Sequence, residues 1–212
     1  MAFSDYKTLA QAQTKLKIKY LEEDFIPAQE LAPAPQFLEE FEFNRVNLDM
    51  FSSEGARAEI VIFPVLREAY KPHAQRYSLF VQRYISCDGD LSGTPDYVIA
   101  GKSALGKTVL ENPLVVVAEA KKNDFEQGWG QCLAELVAAQ RINRDPLLPV
   151  YGVVTDGNLW QFGKLVEDVL TKNLNDYTIG DWPRLFGALD FIMRTISESR
   201  YQTLHNGKYN NA

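Results

Sequence analysis

The sequence predicts an α/β fold in which helices flank a central mixed β-sheet. From residue 53 onward the predicted elements run in the order helix, three strands, helix, two or more strands and helix. Residues 113–121 (PLVVVAEAK) are mostly apolar, which is typical of a strand buried on both faces. Residues 149–166 place two β-rich runs around the tight-turn signal Asp156-Gly157, and this pattern predicts a hairpin.

The N-terminal part of the chain predicts short elements. Residues 4–14 favour a weakly amphipathic helix with Ser4 as its N-cap. Residues 16–25 alternate apolar and polar side chains, which favours a short strand. Prolines interrupt the following segment, and residues 36–43 favour a short helix. We therefore expect residues 1–52 to form an N-terminal helical and irregular extension.

The core is predicted to span residues 53–170. Its first helix runs to residue 70 with apolar side chains at three- and four-residue spacing, and Pro64 should kink it. Residues 171–212 are expected to pack on the core as a C-terminal helix and tail, so that the chain forms a single domain. The other elements are predicted at residues 77–86, 94–101 and 113–121 (strands), 124–142 (helix), 149–166 (hairpin), 165–171 (strand) and 183–200 (helix).

Composition narrows the class of protein. The 212 residues are 46% hydrophobic and 24% charged, as in ordinary globular proteins. No apolar run approaches the roughly 18 residues of a membrane span, and the N-terminus lacks a signal-peptide pattern. Cys87 and Cys132 show no disulfide or metal-ligand spacing. A cytoplasmic protein with free thiols and no membrane association is expected. The net charge of −6 argues against nonspecific coating of nucleic acid but allows a local basic groove.

Two carboxylates and a lysine stand at the ends of two predicted strands. Asp96 begins one strand and Glu119 ends the next, and hairpin pairing of these strands would bring both carboxylates to one end of the sheet. Glu119 and Lys121 are two residues apart, so on a strand their side chains share a face. The strand ending in Glu119 is otherwise apolar, and a charge there calls for a chemical reason.

This arrangement suits a magnesium ion. Two carboxylates, with waters and phosphate oxygens, provide the oxygen coordination that Mg²⁺ prefers, and Mn²⁺ is an alternative. A bound metal polarises a phosphate and lowers the pKa of an attacking water. Lys121 would orient that water or stabilise the developing charge. Asp96 and Glu119 are therefore the predicted metal ligands, and Lys121 the predicted third catalytic residue.

Two further side chains are candidates for the same site. Glu59 falls in line with the apolar stripe of the first core helix, where a charge is costly unless it is paired or metal-bound, so Glu59 is a candidate third metal ligand. Glu54 is its rival but falls off that stripe. A salt bridge to a nearby arginine or to Lys121 is the alternative role for Glu59. Gln131, in the helix after the Glu119 strand, is a candidate hydrogen-bonding residue of the site, with a plain helix-surface position as the alternative.

These motifs resemble the PD-(D/E)xK nuclease superfamily, which has the restriction-endonuclease-like fold. Pro95-Asp96 stands where that motif has its Pro-Asp, and Glu119-Ala120-Lys121 where it has its acidic-x-lysine. The core of the superfamily runs helix, three strands, helix, strand. Its first core helix often supplies an acid, which Glu59 would be here. Some members have a glutamine in the following helix, resembling Gln131, whereas the tyrosine that the exonuclease-like branch has four residues later is Glu135 here. The resemblance covers roughly residues 53–165, and GVVTDGNLWQF resembles the hairpin in nuclease domains of type I restriction subunits.

The resemblance implies a restriction- or repair-type nuclease that hydrolyses phosphodiester bonds in DNA with Mg²⁺. The expected partner is nucleic acid, with DNA favoured. No separate DNA-reading module is visible, so sequence specificity would need a partner protein or a homodimer, or be absent. One alternative is a catalytically inactive nuclease-fold module that acts in nucleic-acid binding or protein assembly. Another is a metal-free structural domain in which Asp96, Glu119 and Lys121 form a buried ion-pair network.

Other side chains favour structural roles. Trp160 and Phe162 alternate along a strand and are expected in the core. His73 follows a proline in a predicted loop and is expected to be exposed, whereas Cys132 is expected to be a buried thiol. Lys122 is expected to be a solvated neighbour of the site. Core packing is also favoured over stacking on bases for four aromatic residues, Tyr84, Tyr97, Trp129 and Tyr151.

Overall fold

A mixed sheet of eight strands forms the centre of the protein, in a computed structural model that describes residues 2–87, 91–121 and 124–206. In chain order the strands are β1 (Lys19–Glu23), β2 (Tyr77–Val81), β3 (Ile85–Cys87), β4 (Leu91–Gly93), β5 (Tyr97–Gly101), β6 (Glu111–Ala120), β7 (Val150–Thr155), β8 (Leu159–Val166), β9 (Val169–Asn173) and β10 (Tyr177–Thr178). The sheet order is β1–β9–β8–β7–β6–β5–β2, with β10 paired to β8, while β3 and β4 form a separate hairpin. Two of the pairs, β1 with β9 and β6 with β7, are parallel and the others are antiparallel.

Helices cover both faces of this sheet. They are α1 (Leu9–Leu16), α2 (Pro35–Asn47), α3 (Glu54–Ala56), α4 (Phe63–Tyr70), α5 (Phe125–Asn143) and α6 (Trp182–Asn206). Apolar side chains of α2, α4 and α6 form one core with Ala118 of β6, whereas α1, α5 and the β3–β4 hairpin form a second core with the adjacent Val117. Successive strand residues point to opposite faces. The predicted α/β fold, with a central mixed sheet flanked by helices, is therefore confirmed.

The helix expected over residues 53–70 is continuous but changes its winding. Between α3 and α4 lies a π-helical segment, Arg57–Ile62. At its end the Phe63 N–H donates to the carbonyl of Ala58, five residues back. Pro64, which has no N–H to donate, follows at the start of α4. The irregularity predicted at Pro64 thus takes the form of a π turn.

The first helix begins later than predicted. Ser4 lies in a 3-10 turn, Phe3–Asp5, and is not the N-cap. The cap is Thr8, whose hydroxyl accepts a hydrogen bond from the Gln11 N–H at 3.1 Å. The 3-10 turn ends at Asp5, and non-helical residues separate it from α1, so the capping role passes to the hydroxyl that immediately precedes α1.

The N-terminal segment contributes to the sheet and to one core. The strand expected within residues 16–25 is present as β1 and pairs in parallel with β9. The rings of Phe37 and Phe41 in α2 pack edge-on against Trp182 of α6, with centroids 5.5 and 4.7 Å apart. The segment expected as an extension is thus part of the packed structure. The predicted C-terminal helix is present as α6, and residues 207–212 lie outside the described part of the chain.

Several structural expectations can be checked directly. The expectation that His73 is exposed is wrong: it is 8% exposed, because α6 presents Asp190, whose Oδ1 lies 3.0 Å from His73 Nε2. The expectation of core packing is also wrong for Tyr84, which is 61% exposed because it precedes β3, a strand of the small hairpin outside the central sheet. The remaining residues expected in the core are buried, namely Tyr97, Trp129, Cys132, Tyr151, Trp160 and Phe162. Among the described helices none has the length and apolar character needed to cross a bilayer.

Candidate active site at the end of β6

The start of β5 lies beside the end of β6, as the hairpin argument predicted. The two strands are antiparallel, and Tyr97 is directly opposite Ala118. Asp96 immediately precedes β5, and its Oδ2 accepts a hydrogen bond from the Ala120 N–H at 2.8 Å. Asp96 is partly exposed, while Glu119, the next-to-last residue of β6, is only 2% exposed. Both residues therefore lie at one end of the sheet.

Glu119 and Lys121 point to the same face and form an ion pair. The Lys121 Nζ is 2.6 Å from Glu119 Oε1. The Lys121 N–H also donates to the carbonyl of Thr155 in β7 at 2.8 Å, which continues the strand pairing past the end of β6. Helix α5 comes close enough that a Cβ at Gly128 would lie 3.2 Å from Lys121 Cγ. The lysine side chain is therefore held between the sheet and the start of α5.

Helix α5 adds two buried polar side chains to this site. Glu135 is 0% exposed, and its Oε1 accepts a hydrogen bond from Gln131 Nε2 at 3.1 Å. Gln131 is itself buried, so a plain surface position for it is wrong. Among the described residues, Glu119 Oε2 and Glu135 Oε2 are buried atoms without a hydrogen-bond donor. Such oxygens are costly unless a proton or a cation satisfies them.

The electrostatics follow from burial and from the crowding of carboxyl groups. Burial, together with repulsion from Asp96, raises the pKa of Glu119 to about 7, although Lys121 opposes this shift. Burial and repulsion from Glu119 raise the pKa of Glu135 well above its ordinary value. A protonated Glu135 can donate to the Glu119 carboxylate, and this hydrogen bond also acts on both pKa values. Burial and mutual repulsion therefore favour a state in which the pair of carboxyl groups binds a proton.

The remaining charges of the site respond to the same cluster. Burial raises the pKa of Asp96, and the Ala120 N–H and Lys121 offset part of this effect. The pKa of Lys121 is raised overall: burial lowers it, but attraction to Glu119 and Asp96 exceeds that effect. Lys121 therefore remains a cation at neutral pH.

The acidic residue of the first core helix is placed differently from the prediction. Glu59 is exposed, so the expectation that it faces the core is wrong; the π turn changes which side chains lie on the inner face. It acts electrostatically on Tyr97. Glu54, judged the weaker candidate, acts on both Asp96 and Lys121. The role of Glu59 as a metal ligand stays a prediction, and Glu54 joins it as a candidate.

The three cationic side chains that could have formed a salt bridge with Glu59 contact other groups instead. Arg57 lies 2.9 Å from the carbonyl oxygen of Asp156, which fixes the turn between β7 and β8 to the π-helical segment. Arg67 approaches Glu40, and Lys121 pairs with Glu119. Lys122, the expected solvated neighbour, lies outside the described residues.

The donor chemistry of the site can be tested against a metal ion. Within the described residues, no three histidine, cysteine, aspartate or glutamate side chains are grouped to hold a metal by themselves. Magnesium is commonly bound by one or two carboxylates that leave room for waters and substrate phosphate. Asp96 is partly exposed, and no N–H group donates to Glu119 Oε2, so a metal ion would take the place of the proton that otherwise satisfies this oxygen. These carboxylates fit such an ion.

Glu135 is the residue of the site that sequence reasoning missed. From the sequence, Glu135 stands out only as a departure from a tyrosine position of the resembled motif. The available signal was a glutamate four residues after Gln131 within the apolar helical run GQCLAELVAAQ, where a charge is costly.

Comparison with known proteins found no relative: no family model matches the chain, and no curated protein matches it. The chemical capacity of the site follows from its own groups. It combines a buried acid pair, a partly exposed carboxylate and a cationic lysine, which are groups that can bind a divalent cation and move a proton.

Proposed function

We propose that the protein is a magnesium-dependent nuclease that hydrolyses phosphodiester bonds in DNA and has a restriction-endonuclease-like core. The observation that carries this proposal is the convergence of Asp96, Glu119 and Lys121 at the end of a strand whose buried run 113–118 is apolar. The resemblance of their motifs to the PD-(D/E)xK pattern and the order of the surrounding elements support it.

Asp96 and Glu119 would hold Mg²⁺ or Mn²⁺. A third carboxylate could come from Glu54, which acts electrostatically on Asp96 and Lys121, or from Glu59. When bound, the ion polarises the scissile phosphate and lowers the pKa of a coordinated water. Lys121 holds a positive charge at the site and can orient a water or stabilise charge that develops on the phosphate. Glu135, which accepts a hydrogen bond from Gln131, interacts with Glu119 from the α5 side and would help to orient its carboxylate.

The second candidate function is a catalytically inactive module of the same fold that binds nucleic acid or assembles with another protein. The observation in its favour is that polar groups of the site already contact one another: Lys121 lies 2.6 Å from Glu119, and Glu135 hydrogen-bonds to Gln131. A fold that carries out no catalysis can retain such a network. The acidic net charge of −6 agrees with a protein partner better than with a nucleic-acid partner.

Cleavage assays separate the two candidates. Purified protein is incubated with supercoiled plasmid and with single-stranded DNA, in Mg²⁺, in Mn²⁺ and in chelator. The nuclease proposal predicts metal-dependent cleavage that Lys121→Ala and Glu119→Gln abolish. Lys107→Ala, an exposed lysine in the loop that joins β5 and β6 at the end opposite the site, should leave it unchanged. Circular dichroism must show that each variant is folded. If folded wild-type protein cleaves neither substrate, the nuclease proposal is rejected and the catalytically inactive module remains.

A further inference from the structure

Strand β1 is an edge of the central sheet, and its outer side is open. In the described part of the chain β1 pairs with β9 alone. Four of its five residues are exposed, and Leu21 at its centre is 55% exposed. An exposed edge strand with an apolar centre is a template for pairing with another strand.

The direction of the backbone groups along β1 can be read from its two ends. The Lys19 N–H donates to the carbonyl of Asp168 at 2.7 Å, and the Glu23 carbonyl accepts from the Leu174 N–H at 3.3 Å. Both end residues therefore turn their backbone groups toward β9. Because these groups alternate in direction along a strand, the central Leu21 also faces β9.

Tyr20 and Glu22 consequently turn their N–H and C=O groups outward. Within the described residues, no backbone hydrogen bond from outside the sheet reaches either of them. Two residues with outward donors and acceptors, separated by one residue, can form four hydrogen bonds with an identical strand placed antiparallel.

We propose that β1 is the contact surface for a second copy of this chain, which pairs with it antiparallel about Leu21. In this register Tyr20 faces Glu22 of the second copy and exchanges both backbone hydrogen bonds with it. Leu21 faces Leu21 of the second copy, and Lys19 faces Glu23 of the second copy. The eight-stranded sheet then continues across a twofold axis into the other protomer.

Charge selects this register over its neighbours. Backbone hydrogen bonds form across the contact only when outward-facing residues of the two copies lie opposite each other. Each alternative register therefore slides one strand by two residues relative to the other. One alternative places Glu22 opposite Glu22, with two like charges in direct opposition. The other places Tyr20 opposite Tyr20 and leaves Glu22 and Glu23 without partners. Only the register centred on Leu21 places Lys19 of each copy opposite a glutamate and pairs all five residues of β1.

The same charges explain why the edge does not pair indiscriminately. Charged side chains on an edge strand discourage pairing with unrelated strands. The charges of β1 match those of a second copy only when the two strands run antiparallel, as the sequence Lys19-Tyr20-Leu21-Glu22-Glu23 shows. A contact of five residues per chain is small, so we expect a weak dimer whose population rises with protein concentration.

Cross-linking tests the register. In an antiparallel pair without mutual hydrogen bonds, opposite Cα atoms lie about 4.5 Å apart, within the range that a disulfide spans. Leu21→Cys should therefore form a disulfide-linked dimer under mild oxidation. Leu105→Cys is the control, because Leu105 is 80% exposed, more than Leu21, and lies in a loop. The native thiols of Cys87 and Cys132 are buried and should not interfere.

Charge reversal tests the pairing independently. Sedimentation equilibrium of the full chain should show a dimer that Glu23→Lys weakens by about tenfold, because it creates two lysine–lysine oppositions. Adding Lys19→Glu should restore the dimer. Glu39→Lys, the same charge change at an exposed position of α2, should have no effect.

Failure at either step overturns the proposal. A chain that remains monomeric at all concentrations would do so, as would a Leu21→Cys protein that cross-links no faster than Leu105→Cys. A dimer that is indifferent to Glu23→Lys would place the contact elsewhere. None of these outcomes depends on whether the protein cleaves DNA.

Discussion

Replacement of Glu135 by glutamine tests whether the buried carboxyl pair holds a proton. Glutamine has nearly the same shape and can keep the hydrogen bond from Gln131, now 3.1 Å long. Its amide can also donate to Glu119, replacing the shared proton with a permanent N–H. The variant should therefore lose the part of the pH dependence that Glu135 contributes, while keeping the packing of α5 on the sheet.

The sign and size of the effect follow from the raised pKa values. A carboxyl whose pKa is higher in the folded than in the unfolded protein stabilises the fold fully below its unfolded pKa and loses that contribution as pH rises through the folded pKa. Glu119 keeps its burial and its repulsion from Asp96 in the variant, so its own titration occurs in both proteins. The difference between the two proteins reports Glu135, whose pKa is raised well above its ordinary value by burial and by Glu119. Each tenfold change in proton affinity corresponds to about 1.4 kcal/mol, so between about pH 5 and pH 8 wild type should lose at least about 1.4 kcal/mol of unfolding free energy relative to Glu135→Gln.

Urea unfolding in chelator, followed by circular dichroism at several pH values, measures this difference. Taking the difference between variant and wild type cancels the titration of carboxyl groups elsewhere in the chain. Glu126→Gln, an exposed position of the same helix, is the control and should track wild type. If Glu135→Gln and wild type respond to pH in parallel, Glu119 and Glu135 do not share a proton and the account of the site is wrong.

Two further predictions concern the packing that positions the site. Gly130→Ala should lower the unfolding free energy by about 1–3 kcal/mol, because a Cβ there would lie 2.7 Å from the Thr8 backbone. Gly55→Ala, where the nearest atom to an added Cβ is Ser53 Oγ at 3.9 Å, should not lower it. Equal unfolding free energies for the two variants would contradict the close approach of α1 and α5. His73→Ala should cost about 1–3 kcal/mol in urea unfolding, because Asp190 loses a buried partner; an unchanged midpoint would show that this contact is not formed.

Local sequence patterns were sufficient where a single physical cause dominates. The apolar run before Glu119 predicted a buried strand, and hairpin pairing brought Asp96 beside its end. The two-residue spacing of Glu119 and Lys121 predicted a shared face, and the ion pair is present.

Patterns failed where distant parts of the chain decide the outcome. The position of Glu135 depends on how α5 lies across β6, and no local period encodes this packing. Burial of His73 depends on Asp190, which is 117 residues away. The inner face of the first core helix was assigned from α-helical spacing, and the π turn Arg57–Ile62 shifts that face, so Glu59 is exposed.

The central claim is that Asp96 and Glu119 together hold a divalent metal ion. Calorimetric titration of the full chain with Mg²⁺ and with Mn²⁺ at about pH 8, where Glu119 is mainly ionised, tests it most directly. Asp96→Asn is the matched variant, since its amide oxygen can still accept the hydrogen bond from Ala120. The account predicts one ion bound per wild-type chain and loss of binding in the variant. No binding by wild type, or equal binding by both proteins, would contradict it.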